Sequence, residues 1–270
     1  MQTVILFFWL ILVVAGSMII GAAGLLFVRR VLKLRGIIEW NDVAGFIYAV
    51  VGVIYAVILA FVVIVVWEQY SMVGSAVSTE AAVLVQAYRD TQILPEPQRQ
   101  RAQAALRTYA DQVTSREWAT HGELLPHTTP DLLNPIWDIY RQYQPSDELQ
   151  REILVSAEDR LHDLELRRHL RHLSEEDSMP PLFWPVLFGG GLVTVAFTYF
   201  FQLNSLRAHL IMTALLSGLI GGILFLVFSL NQPFTGVAPV SKQPFEHAML
   251  QFHAIDLEAT PTSMAPASEP

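Results

Sequence analysis

His162, Glu165, His169 and His172 recur at spacings of three, four and three. On an α-helix these side chains share one face, and imidazole and carboxylate groups converging on one face are a donor set for a divalent metal. Asp163, Arg167, Arg168 and Arg171 crowd the same segment, so the favoured reading is a solvated polar face. No HExxH or similarly dense ligand signature accompanies it. The chain has no cysteine, which removes thiolate metal sites, disulfides and cysteine nucleophiles. There is no GxSxG elbow, no Walker-type phosphate loop and no dinucleotide fingerprint. The triplet Gly189, Gly190 and Gly191 has no neighbouring Lys to meet a phosphate, and its expected use is close helix approach or a kink. The expectation is a protein that is not an enzyme and has no cofactor and no metal.

The elements that must hold any site follow from where charge is missing. Hydrophobic residues make up 53% of the 270 residues and charged ones 16%, against about 25% charged in an average soluble domain. Residues 1–28, 43–67, 178–206 and 208–241 contain no Asp, Glu, Lys or Arg. Each gap holds the roughly 20 apolar residues that a bilayer-spanning helix needs. The predicted spans are 4–28, 43–67, 183–203 and 208–230, giving an all-α membrane protein with four transmembrane helices. The first span has no basic residue before it and Arg29, Arg30, Lys33 and Arg35 after it. That order suits a retained helix rather than a cleaved signal. Trp40, Trp67, Tyr70 and Trp184 fall at predicted membrane edges, as an interfacial belt does.

Four segments follow: a membrane hairpin over 1–67, an acidic helical soluble region over 68–182, a second membrane hairpin over 183–230, and a Pro-rich tail over 231–270, disordered at its end. The soluble region carries 19 Asp and Glu against 11 Arg and no Lys, a difference equal to the whole net charge of −8. Such a balance argues against nucleic acid as a partner. Three helical stripes run through it: Val77, Ala81, Leu84 and Tyr88; Ala102, Ala105, Leu106, Tyr109 and Val113; Ile153, Ala157, Leu161 and Leu164. Helices are predicted near 70–94, 98–119, 131–143 and 147–174, with Asp131 and Asp147 as starts. The first continues the second span, since no Gly or Pro separates Trp67 from Met72.

Inside the spans, Gly52, Ala56 and Ala60 repeat every fourth residue, as do Ala214, Gly218 and Gly222. This spacing lets helix backbones approach closely; packing within one subunit and between subunits both satisfy it. The spans lack the carboxylate of a proton-coupled transporter and the arginines of a voltage sensor. A conduction path would use hydrophobic constrictions, hydroxyls such as Thr194 and Thr198, backbone groups or charged mouths. His209, at the edge of the fourth span, is expected at the interface. The basic first loop and Arg207 in the short loop 204–207 place both loops in the cytoplasm by the positive-inside rule. Residues 68–182 and both termini then lie outside the inner (plasma) membrane.

The stretch NDVAGFIYAVVGVIYAVILAFVVIVVWEQY (41–70), followed by VSTEAAVLVQAYRD (77–90), REWATHGE (116–123) and SLNQPFTGVAPVSKQPF (229–245), resembles the bestrophin-like family of bacterial membrane proteins, catalogued as domain of unknown function 4239. The positions that carry the likeness are Asn41, Asp42, Gly45, Gly52, Tyr55, Trp67, Glu80, Arg89, Glu117, Trp118, Pro233, Phe234 and Gly236. Family members often have an Asp-Arg pair before the Pro-Phe, where this chain has Asn231 and Gln232. The family name implies a relation to bestrophins, which are pentameric chloride channels with four membrane helices per subunit and a cytosolic middle segment. The orientation read from the loop charges is the reverse. The resemblance implies a homo-oligomer in the lipid bilayer that conducts inorganic anions. The competing expectation is a non-conducting scaffold or sensor whose extracytoplasmic helices bind a partner.

Overall fold

The computed structural model describes residues 2–32, 41–118, 132–176, 179–201, 203 and 205–259. Its helices are α1 (Gln2–Leu32), α2 (Asn41–Asp90), α3 (Gln98–Gln112), α4 (Asn134–Gln142), α5 (Glu148–Glu176), α6 (Phe183–Thr198), α7 (Leu206–Leu230) and α8 (Gln243–Ala259). No strand occurs among the described residues, and the fold is all-α. The chain divides into two units. Unit 1 holds Met1–Ser71 and Asp177–Pro239; unit 2 holds Met72–Glu176 and Val240–Pro270. Helix α2 runs without a break from one into the other, as the uninterrupted sequence around Trp67 predicts.

In unit 1, three helices are long and apolar enough to cross a membrane, over Val4–Val31, Val43–Ile93 and Leu206–Leu230, the second running on into unit 2. The expected span 183–203 is shorter as a helix. Helix α6 ends at Thr198 after 16 residues, about 24 Å at the usual rise per residue. The cause is local. Tyr199, Phe200 and Phe201 each donate a backbone N–H three residues back, at 3.0, 3.2 and 3.3 Å, which tightens the chain out of the α-helix. The Thr198 carbonyl also accepts from His209 Nε2 at 2.9 Å.

Helices α1 and α7 pack along a seam of small residues. Gly21 lies against Ser217 and Gly221 against Ser17, so the pair runs antiparallel. A Cβ on Gly218 would stand 2.7 Å from Met18 Cγ, and one on Gly222 3.3 Å from Val14 Cγ2. The Ala214–Gly218–Gly222 row is therefore used within the subunit. In a bilayer, where burying apolar surface drives no association between helices, such close backbone approach maximises dispersion contact. Ser205 starts α7 by accepting the Ala208 N–H at 3.3 Å, an N-cap of the usual kind.

Unit 2 is a helical cluster around the stripes of α2, α3 and α5. Val77, Ala81, Leu84, Tyr88, Ala102, Leu106, Tyr109 and Val113 are buried. The third stripe is displaced by one residue: Ile153 is exposed, and Leu154 joins Ala157, Leu161 and Leu164 inside. Asp147 starts α5 as predicted, its Oδ1 accepting the Gln150 N–H at 2.7 Å. Helix α3 passes into a π-turn over Val113–Glu117. Helix α8 was not predicted. Its Phe245, Ala248, Phe252 and Ile255 recur at three, four and three and are buried, so residues 243–259 form an amphipathic helix that belongs to unit 2. Residues 33–40, the predicted helix start Asp131 and the tail 260–270 lie outside the described residues.

The seam makes a prediction. Gly221→Leu must displace Ser17 and destabilises the protein by about 1–3 kcal/mol, the usual cost of overpacking. Gly189→Leu, with nothing within 4 Å of its Cβ, leaves the midpoint of thermal unfolding in detergent within the error of the wild type. Equal midpoints for both variants would refute the seam.

Candidate functional site

The motif VSTEAAVLVQAYRD places two polar clusters on α2 in unit 2. The first is buried. Glu80 sits between Val77 and Leu84 on the inward stripe, and its side chain is fully withdrawn from solvent. A carboxylate there requires a cation. Arg171 on α5 supplies it, itself fully buried, with Nε donating to Glu80 Oε2 at 2.7 Å and Nη2 to Oε1 at 3.4 Å. Tyr109 on α3 donates its hydroxyl to Glu80 Oε1 at 2.5 Å. Burial, foremost, and then the Glu80 charge push the Tyr109 phenol well above its ordinary value, so it remains a neutral donor at physiological pH. Arg168 lies over the Tyr109 ring, 5.5 Å from its centroid. One carboxylate thus joins α2, α3 and α5.

The second cluster surrounds the end of α2. Tyr88 stacks on Phe252 of α8 with centroids 4.1 Å apart and donates to Asp256 Oδ1 at 2.7 Å. Arg107 on α3 donates to the Tyr88 hydroxyl at 2.5 Å and pairs with Asp256, and its guanidinium lies over both rings. One position further on, Arg89 and Asp90 edge a groove completed by Arg160 of α5 and His247 of α8. Arg160 Nε is 2.5 Å from Asp90 Oδ2, an ion pair too oblique to count as a hydrogen bond.

In unit 1, Tyr55 of α2 is buried against α6. Its hydroxyl donates to the Leu187 carbonyl at 3.1 Å, and its ring occupies the space that side chains at Gly190 and Gly191 would fill. Two glycines of the triplet thus serve close approach. Thr194 and Thr198 donate their hydroxyls to Gly190 and Val195 carbonyls of their own helix, at 2.8 and 2.6 Å. His209 is 2% exposed and held between two partners. The Thr198 carbonyl only accepts, so Nε2 carries the proton, and Nδ1 is left to accept from Arg29 Nη2 at 2.7 Å. Asn231 uses its Oδ1 to accept the Met179 N–H at 2.9 Å.

The family positions are distributed rather than gathered. Gly45 and Gly52 have nothing within 4 Å of their Cβ positions. Trp67 is exposed and stacks near Tyr70. Trp118 meets Phe245 of α8 edge-on, with centroids 6.2 Å apart. Pro233, Phe234 and Gly236 form the turn after α7. A Cβ at Gly236 would stand 2.6 Å from the Gln232 carbonyl oxygen and 2.8 Å from that of Ser229, which excludes even alanine without backbone movement. Asn41 and Asp42 open α2, and Glu117 ends the π-turn; their side chains lie outside the described residues. Of the histidine face, His162 packs on Trp137 with ring centroids 4.5 Å apart, while Glu165 and His169 are exposed. No group of three or more potential ligands converges on a metal position among the described residues. Arg171, next to this face in sequence, was missed as the partner of Glu80. The one available signal was the carboxylate lying on an apolar stripe.

Removing one member of the buried pair strands the other. Glu80→Gln destabilises unit 2 by about 3–5 kcal/mol, whereas Glu80→Met combined with Arg171→Met and Tyr109→Phe recovers most of the loss. Thermal unfolding of the purified variants measures both, and an unaffected Glu80→Gln would contradict the pairing.

Neither the curated proteins nor the solved structures give a match to the chain. The family model of the bestrophin-like domain matches residues 6–245, from α1 through the first turn of α8, and the chain belongs to the bestrophin-like family of membrane proteins.

Proposed function

We propose that the protein is a non-enzymatic, four-helix inner-membrane protein that assembles with copies of itself and conducts inorganic anions. In this reading 1–67 and 183–230 are the membrane hairpins, 68–182 is an extracytoplasmic insertion, and 231–270 is an extracytoplasmic tail. Residues flanking α6 complete the third crossing, because the uncharged run 178–206 extends beyond both helix ends. The contact of Arg29 with His209 supports loops 29–42 and 204–207 sharing one end, as two hairpins require. The basic residues of the first loop put that end in the cytoplasm.

The observation that carries the oligomer is the division of labour between the two small-residue rows. The row on α7 is filled by α1. The row on α2 faces no helix among the described residues: Gly52 has nothing within 4 Å of its Cβ position, and Ala56 and Ala60 are exposed. Its neighbours Phe46, Val50, Val53, Val57 and Phe61 are exposed as well. Helix association in lipid favours such small residues at contacts. Anion conduction rests on the family relation to bestrophins. A second reading, a non-conducting sensor or scaffold with a partner-binding helical region, is favoured by the polar groove at the end of α2.

Light scattering of the purified protein should give a multiple of the 30.3 kDa chain mass. Gly52→Leu and Ala56→Leu should shift it toward monomer without lowering the unfolding midpoint of the monomer. Liposomes holding the wild type should pass halide; a monomer without flux would overturn the channel reading. Because the chain lacks cysteine, single reporters can test orientation. Lys33→Cys should label from the cytoplasm and His121→Cys from outside, and labelling of the latter from the cytoplasm would reverse the topology.

A further inference from the structure

In unit 2, one groove has a cationic edge. It lies between α2, α5 and α8 and encloses about 530 Å³, a size typical of small-molecule sites. Ala81, Val85, Pro244 and Ala248 give it an apolar lining, and two of these, Ala81 and Ala248, are buried.

The charges at the rim do not cancel locally. Arg160 has partners at each nitrogen: Nε pairs with Asp90, Nη1 donates to Gln86 Oε1 at 3.1 Å, and Nη2 to Ser156 Oγ at 3.4 Å. Asp90 is therefore committed to Arg160. Arg89, the adjacent residue, makes no hydrogen bond or ion pair with any described residue, and neither does His247. The groove thus presents a guanidinium with its donor fork uncommitted beside an apolar surface. A guanidinium matches the planar carboxylate bidentately, and the lining suits a short hydrocarbon or aromatic body.

We propose that this groove binds a small organic monocarboxylate, with the carboxylate on Arg89, His247 as a further donor, and the apolar body over Ala81, Val85 and Pro244. Arg160 acts as a positioning residue, since it takes Asp90 as its own ion-pair partner. The proposal is independent of conduction and is read by binding alone.

The test uses the full chain in nanodiscs, with empty nanodiscs as blank and calorimetric titration as readout. Benzoate serves as probe, benzamide as its uncharged counterpart and chloride as competitor. Benzoate should bind saturably, and benzamide at least tenfold more weakly. Arg89→Gln should weaken benzoate about tenfold or more, as loss of a charge-assisted pair does. Arg160→Gln should also weaken it while leaving benzamide unchanged, and Arg141→Gln on α4 should have no effect. Absence of saturable binding, equal binding of benzamide, or unaltered binding by Arg89→Gln would overturn the proposal. Displacement by equimolar chloride would overturn it too, by showing a site for inorganic anions.

Discussion

Glu80 and Arg171 stand 91 positions apart in the chain and meet where neither touches water. Withdrawing two charges from solvent carries a desolvation penalty that their attraction roughly offsets, so such a pair adds little net stability over well-packed apolar residues. Its effect lies in what it forbids. Any arrangement of α2, α3 and α5 that separates the two leaves a bare charge inside. The Tyr109 hydroxyl on the same carboxylate extends that constraint to α3. The apolar stripes of these helices could slide by a turn and still bury leucine and alanine; the ion pair admits one register. Helix α8 is tied in separately, through Tyr88, Phe252, Arg107 and Asp256, so α2 meets α3 and α5 through one polar junction and α3 and α8 through another.

Unit 1 is held by a different economy of contact. Burying apolar surface gains little where the solvent is itself hydrocarbon, and what remains is the fit of backbone to backbone. Ser17 with Gly221 and Gly21 with Ser217 provide it along α1 and α7, and Gly190 and Gly191 provide it for Tyr55. Gly45 and Gly52, by contrast, have no described residue within 4 Å of their Cβ positions. Residues of the same type thus play opposite parts, and only three-dimensional contact separates them.

Helix existence was legible from the sequence because each helix carries its own evidence: an uncharged run, a stripe at three and four, or an N-cap such as Asp147. The extent of α6 was not, since its ending depends on a carbonyl at Thr198 shared with His209, eleven residues away. Helix α8 was obscured by the Pro and Gly that precede it; the spacing of Phe245, Ala248, Phe252 and Ile255 was present but was read as tail. Glu80 was named through family likeness, yet its partner Arg171, like the Arg160 that pairs with Asp90, belongs to a helix whose charge density suggested only a solvated face. Spacing within one helix shows which side chains share a face. Which face of another helix receives them depends on packing between segments, and no local pattern encodes that.

The hydroxyls of unit 1 narrow where a conducting path could run. Thr194, Thr198, Ser217 and Ser229 all donate to carbonyls of their own helices, three or four residues back. Their protons are engaged, so within one subunit they offer no donor to a passing anion. The seam between α1 and α7 is filled by Ser17, Met18 and Val14 against the α7 glycines. A dehydrating anion needs donors or positive charge along its way, and these four hydroxyls supply neither. If copies assemble through the small-residue row of α2, a path enclosed between copies would be lined by the exposed face of that helix, which is uncharged from Val43 to Trp67. Such a path would gate by hydrophobic constriction. Selectivity would then reside at its charged mouths rather than along its length.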